Sequence, residues 1–157
     1  MKKIPLTQGL FALVDDEDFV HFSQWIWQAT KIRNKYYATR RIRISRGKYK
    51  TIYMHREIVN APKGVEVDHR NGDGLNNRRH NLRHSTRQQN SMNQRLRVDN
   101  ISGHAGVTWH KKRGRWRAII SINKKPVFLG YFDDKDIAIE VRKDAEKIHY
   151  GEFAPQN

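Results

Sequence analysis

The sequence predicts an α+β protein made of two small, strand-rich parts, and three observations carry that reading. Runs of β-branched and aromatic residues, punctuated by Gly, Asn and Pro, recur along the chain. Only one segment, residues 133–150, sustains apolar residues at helical spacing. The chain has 157 residues of which 37% are hydrophobic, enough for one compact domain or two very small ones with modest cores.

Residues 10–14 alternate as a short strand, the acidic run Asp15, Asp16, Glu17 and Asp18 reads as a turn, and residues 19–27 form an aromatic-rich amphipathic stretch in which Trp25 and Trp27 fill a small core. Residues 36–44 and 49–54 read as strands of a hairpin around the turn Ser45-Arg46-Gly47-Lys48. Its alternation places Arg41 and Arg43 on one face and Ile42 and Ile44 on the other. Ala61-Pro62-Lys63-Gly64 ends this part. Residues 98–103 are expected to link it to a second unit at 104–157. There, strands at 104–110, 115–122 and 126–132 precede a helix that Asp133 or Asp134 caps and Gly151 closes. Ile137, Ala138, Val141, Ala145 and Ile148 are expected to form its apolar face.

The formal net charge is +15, from 31 Lys and Arg against 16 Asp and Glu. By segment it is −2 over 1–30, +14 over 31–97 and +3 over 98–157. Within the last segment, 98–132 carries +6 and 133–157 carries −3, a basic sheet backed by an acidic helix. Charge of this size and sign points to a polyanionic partner, nucleic acid first. No run approaches the roughly 18 apolar residues of a membrane span, and the start MKKIPLTQG lacks the apolar stretch of a signal peptide. A membrane partner is therefore not expected, and the expected compartment is the cytoplasm. Cysteine is absent, which excludes disulfides, a thiol nucleophile and Cys-based zinc sites.

The chemistry concentrates between Val65 and Asn90. Asp68-His69 ends a short apolar run, a polar loop rich in Gly and Asn follows, Asn81-Leu82-Arg83 starts a second run, and a polar helix-like stretch contains Asn90. A strand, loop, strand and helix can fold back so that Asp68, His69, Asn81 and Asn90 converge. Phosphodiester hydrolysis needs such convergence: a base for water, and a cation to neutralise charge on the phosphate and leaving oxygen. Histidine titrates near about 6.5 when unperturbed, so much of it can accept a proton at neutral pH. A carboxylate and an amide carbonyl are hard oxygen ligands that favour magnesium, with manganese second, over zinc.

The pattern Asp-His-x-Asn-x(4)-Asn-Asn-Arg-x-x-Asn-Leu-Arg, over about 64–95, resembles the HNH (His-Me finger) nucleases, in particular the phage and intron homing endonucleases with Asp-His first and Asn last. The resemblance implies a ββα-metal core within an endonuclease domain at 1–97, with a β-rich N-terminal extension. It implies His69 as general base, Asp68 and Asn90 as metal ligands, and Asn81 as the residue fixing the loop and the imidazole. Asn93, three residues after Asn90, could share its helix face. His80 and His84 are read as surface or phosphate-contacting residues, and His55, beside Arg56, as structural. Arg83 and Arg87 suit a phosphate clamp, since a planar guanidinium matches phosphate oxygens, or else general attraction of DNA.

Residues 102–157 are similar to the apetala/ethylene-response-factor (AP2/ERF) DNA-binding domain, through Gly106-Val107, Gly114-Arg115-Trp116-Arg117, Leu129-Gly130-Tyr131-Phe132 and Gly151-Glu152-Phe153-Ala154. The resemblance implies a three-stranded antiparallel sheet in the DNA major groove with one helix packed behind. Lys111, Arg113, Arg115 and Arg117 can then face DNA, and Trp109 can stack on sugar or base. Thr108 and Phe128 depart from that family's pattern, so no base specificity is carried over.

Together these features predict a metal-dependent endonuclease of the homing type acting on double-stranded DNA, with no small-molecule substrate. One such site cuts one strand at a time, so nicking by a monomer and double-strand cutting, by a homodimer or by two sequential events, both stay open. The alternatives are a non-catalytic DNA-binding protein with a degenerate nuclease fold, and an RNA-binding basic protein.

Overall fold

The computed structural model describes every residue except Gln94, Arg95, Arg97, Val98, Gln156 and Asn157. The protein is α+β, with several small antiparallel sheets and a few short helices. It divides after Asn90 into two compact units. No described helix is long and apolar enough to cross a membrane.

In the first unit β1 (Lys2–Pro5) pairs with β2 (Phe11–Val14), and α1 (Asp16–Phe22) follows. The acidic run is thus the first turn of a helix rather than a turn between strands. Asp16, Glu17 and Asp18 sit where the exposed backbone N–H groups and the helix dipole favour negative charge. Trp27 is fully buried and anchors its indole N–H on the Phe22 carbonyl at 2.8 Å. Then β3 (Gln28–Ile32), β4 (Lys35–Ser45) and β5 (Lys48–Tyr53) form an antiparallel sheet in that order. β5 runs into a short helix α2 (Met54–Ile58), whose Met54 and Ile58 enter the core with Ile4, Val14 and Ala38.

The two-stranded ribbon β6 (Glu66–His69) and β7 (Leu82–Ser85) joins the same core through Val67 and Leu82, and α3 (Arg87–Met92) follows. The 70–78 loop between its strands is tied to β2, where Leu13 N–H donates to the Leu75 carbonyl and Asn77 N–H to the Leu13 carbonyl, both at 2.8 Å.

In the second unit β8 (Val107–His110), β9 (Arg115–Ile122) and β10 (Lys125–Phe132) form an antiparallel sheet with β9 central, and α4 (Lys135–Tyr150) packs on it. The Asp134 carboxylate caps α4 by accepting the N–H groups of Asp136 and Ile137. The helix buries Ala138 and Ala145, whereas Ile137 and Ile148, expected to face the core, are exposed. The expected apolar stripe is displaced because Arg142 and Glu146 occupy buried positions as an ion pair at 2.8 Å, joined by His104. Residues 100–103, expected within a linker, form a turn with His104 of this unit: Ser102 is buried, and its hydroxyl donates to Asn100 or to the His104 carbonyl.

Candidate active site

Strand alternation sets the geometry of the β6–β7 ribbon. Glu66 and Asp68 share one face, while Val67 and His69 take the other. Asp68 lies opposite Arg83 in register, and the Arg83 guanidinium donates to Asp68 Oδ2 from Nε at 2.9 Å and from Nη2 at 2.6 Å. Both side chains are buried, so the expected phosphate clamp at Arg83 is instead a partner of the expected metal ligand.

His69 ends β6 and is buried. Its Nε2 lies 3.3 Å from Asn77 Oδ1, and the Asn77 amide group donates to the Leu75 carbonyl. Since that arrangement makes Asn77 Oδ1 an acceptor, Nε2 carries the proton and the lone pair resides on Nδ1. Burial holds the His69 pKa below the ordinary histidine value, against opposing pulls from Asn77 and Asp68. The imidazole is therefore neutral at neutral pH, the state that can take a proton. Its ring packs edge-on against His55 at 5.0 Å and Tyr37 at 5.9 Å. Burial also pushes the Tyr37 phenol up, with Asp68 adding to the effect.

Asn81 holds the loop but not the imidazole. Its side chain donates to the Asn76 carbonyl at 2.7 Å and to Asn71 Oδ1 at 3.0 Å, and accepts the Asn71 N–H at 3.1 Å. Orientation of the imidazole, expected of Asn81, falls to Asn77. The short turn Arg79–Asn81 before β7 is held by the N-terminal acids: Arg79 donates to Asp18 at 2.6 and 2.9 Å, and its backbone N–H to Asp15 at 2.8 Å.

Asn90, expected as a metal ligand, lies on α3 and donates from Nδ2 to Glu66 Oε2 at 2.7 Å. Asn93 lies past the end of α3 and is buried. Glu66, Asp68 and Asn90 offer only hard oxygens, a donor chemistry that fits magnesium or manganese and not zinc. Among the described residues no three His, Cys, Asp or Glu side chains cluster as a ready-made metal site.

Of the other expected contacts, Arg87 is exposed at the start of α3. Arg41 and Arg43 are exposed and share one face of the β4–β5 hairpin, with the Arg41 guanidinium 5.0 Å from the Tyr49 ring centroid. On the C-terminal sheet Arg115 and Arg117 share the face away from α4, and Arg115 is paired with Asp133 at 2.7 Å. Arg113 stacks on Tyr131 at 4.9 Å, and Lys111 is exposed in the β8–β9 turn. Trp109 lies opposite Trp116 in register, with rings 5.3 Å apart, which puts it on the helix side and not beside Arg115 and Arg117.

Sequence reasoning missed Glu66, Asn77 and the placement of His55 against His69. Glu66 is two residues before Asp68 on a strand, a spacing that signals a shared face. Asn77 and His55 meet His69 only through the loop fold and the packing of α2, which no local spacing reveals.

Comparison with known proteins covers this segment. A family model described as HNH endonuclease matches residues 60–92. Protein 3.8 of Escherichia phage T7 is 30% identical over 111 residues, spanning 68% of this chain and 91% of that protein. No solved structure gives a significant match.

Proposed function

We propose, from the premise that the chain belongs to the family of Protein 3.8 of Escherichia phage T7, that it is a metal-dependent DNA endonuclease of the HNH homing type. The observation that carries this reading is the buried His69, its Nε2 lying 3.3 Å from Asn77 Oδ1, with Asp68 its neighbour on the same strand.

In the proposed reaction Nδ1 of His69 accepts a proton from water as the water oxygen bonds to phosphorus. The bond from phosphorus to the 3′ oxygen breaks in line, that oxygen takes up a proton, and the products are a 5′-phosphate and a 3′-hydroxyl. Asp68 and Asn90 would hold a divalent cation, magnesium first and manganese second, which when bound neutralises charge on the phosphate and leaving oxygen. Asn77 fixes the imidazole, and Asn81 holds the loop that carries Asn77. Arg87 attracts the phosphate backbone. In the second unit, target docking falls to the sheet of AP2/ERF-like pattern, through Lys111, Arg113, Arg115 and Arg117 on the face away from the helix.

One observation favours a second reading. Arg83 already neutralises Asp68, as suits a non-catalytic DNA-binding protein that keeps the nuclease fold. Incubating the purified chain with supercoiled plasmid and a random-sequence duplex library under magnesium, manganese or EDTA separates the two. The endonuclease reading expects nicking or cutting with metal and none with EDTA. DNA binding without cleavage under any divalent metal supports the second reading, and neither binding nor cleavage overturns both.

A further inference from the structure

The β4–β5 hairpin extends well past the sheet that holds it. β3 pairs only with residues 35–39 of β4, so beyond Thr39 the two strands continue alone. Arg40, at the root, is anchored by Glu57 at 3.2 Å and by the Trp25 ring at 4.3 Å. From there every residue of 41–51 is exposed. This arm carries Arg41, Arg43, Arg46, Lys48 and Lys50 and no acidic residue. It also exposes apolar side chains, with Ile44 at 65% and Tyr49 at 53% of full exposure, beside Ile42.

An isolated two-stranded ribbon is marginally stable in water, and exposed apolar residues at its tip gain nothing there. Both features suit an arm that is covered when a polyanion is bound. Its dimensions select the surface. Two strands lie about 4.8 Å apart, and the major groove of B-form DNA, about 12 Å wide and 8.5 Å deep, admits such a ribbon. From Arg41 to Ser45 the arm reaches about 13 Å, enough to cross the groove. The deep, narrow major groove of A-form RNA does not admit it.

We propose that the β4–β5 arm enters the major groove of the target duplex and reads sequence there, separately from the cutting site. Arg41, stacked on Tyr49, and Arg43 present guanidinium groups along one face. Arg43, nearer the tip, is placed to donate to guanine O6 and N7. Tyr49, opposite Arg43 in register and so on the same face, offers an apolar contact to the thymine methyl, which only the major groove displays, and Ile42 and Ile44 on the other face meet the sugars of the groove wall. Arg46 and Lys48, at the turn, meet phosphates. This assignment rests on DNA being the partner, as under the proposed function, but not on cleavage.

The test uses the full chain carrying His69→Ala, bound to a duplex selected from a randomised library and sparsely methylated with dimethyl sulfate. Methylation at guanine N7 blocks major-groove contacts, and methylation at adenine N3 blocks minor-groove contacts. The expected result is a block of guanine-N7 interference that disappears when Arg43→Gln, Ile44→Ser and Tyr49→Ser are added, with affinity for the selected duplex falling about tenfold or more. Thermal melting checks that the added substitutions leave the fold intact, and Arg43→Gln alone serves if the combined variant does not fold. Persistence of the block, arm-dependent interference at adenine N3, equal binding to duplex RNA, or failure to select any sequence overturns the proposal. Cleavage is measured separately on the chain with His69 intact. Absent cleavage with the arm block present removes the nuclease reading alone, and cleavage without the block removes this one alone.

Discussion

Asp68 and Arg83 face each other across the β6–β7 ribbon, with the Arg83 guanidinium donating to Asp68 Oδ2 at 2.6 and 2.9 Å and side-chain exposures of 3% and 6%. Such a pair costs desolvation to form, and loss of one partner strands a buried charge. Arg83→Met is expected to lower folding stability by about 3–5 kcal/mol in urea unfolding. If Asp68 is a metal ligand, added magnesium should restore stability to this variant more than to the unsubstituted chain. Equal magnesium effects on both would remove Asp68 from the ligand set.

His55 gives a pH dependence. Burial first, then the neighbouring His69 and Arg56, pushes its pKa down to about 3. In the unfolded chain the imidazole takes up a proton near about 6.5. Between these values the unfolded state binds more protons, so stability falls as pH drops, by up to about 1.4 kcal/mol per pH unit for one histidine. His69 acts in the same direction. Urea midpoints at about pH 7.5 and about pH 5, which bracket the onset of histidine protonation, should differ in the unsubstituted chain and differ less in His55→Phe. An unchanged pH slope in the variant counts against this role for His55.

Asn77 tests what orients the base. Its side chain fixes the His69 tautomer, so Asn77→Ala should lower kcat about tenfold or more with little change in KM. A change confined to KM would place Asn77 in DNA binding instead.

Gly74 lets the loop approach β4. A Cβ there would overlap the Tyr36 carbonyl oxygen and come within 2.9 Å of the Tyr37 ring. Gly74→Ala is expected to cost about 1–3 kcal/mol, read by thermal or urea unfolding. A neutral result would show that the loop lifts freely from β4.

The legible parts of this molecule were those governed by local pattern. β8, β9, β10 and α4 follow from alternation, turn residues and the Asp134 cap, and the Asp68-His69 to Asn90 segment from its spacing. The acidic run was misread because a cluster of Asp and Glu suits both a turn and a helix N-terminus, and only its bonds from Asp15 and Asp18 to Arg79 decide between them. β1 and β3 are short and carry too little alternation to stand out, and each is defined only by its pairing with the next strand, β2 and β4. Ile137 and Ile148 misled because Arg142, Glu146 and His104 form a buried polar cluster that no hydropathy pattern reveals. Within the site, residue identities were legible, whereas the contacts of Asn77, Arg83 and His55 depend on register and packing.

The central claim is that His69 is the base. The most direct measurement is the single-turnover cleavage rate of His69→Ala against the unsubstituted chain, on one duplex with magnesium, with DNA affinity measured in parallel. The account predicts a fall of about 100-fold or more with affinity nearly unchanged. Cleavage by His69→Ala at close to the unsubstituted rate would contradict it.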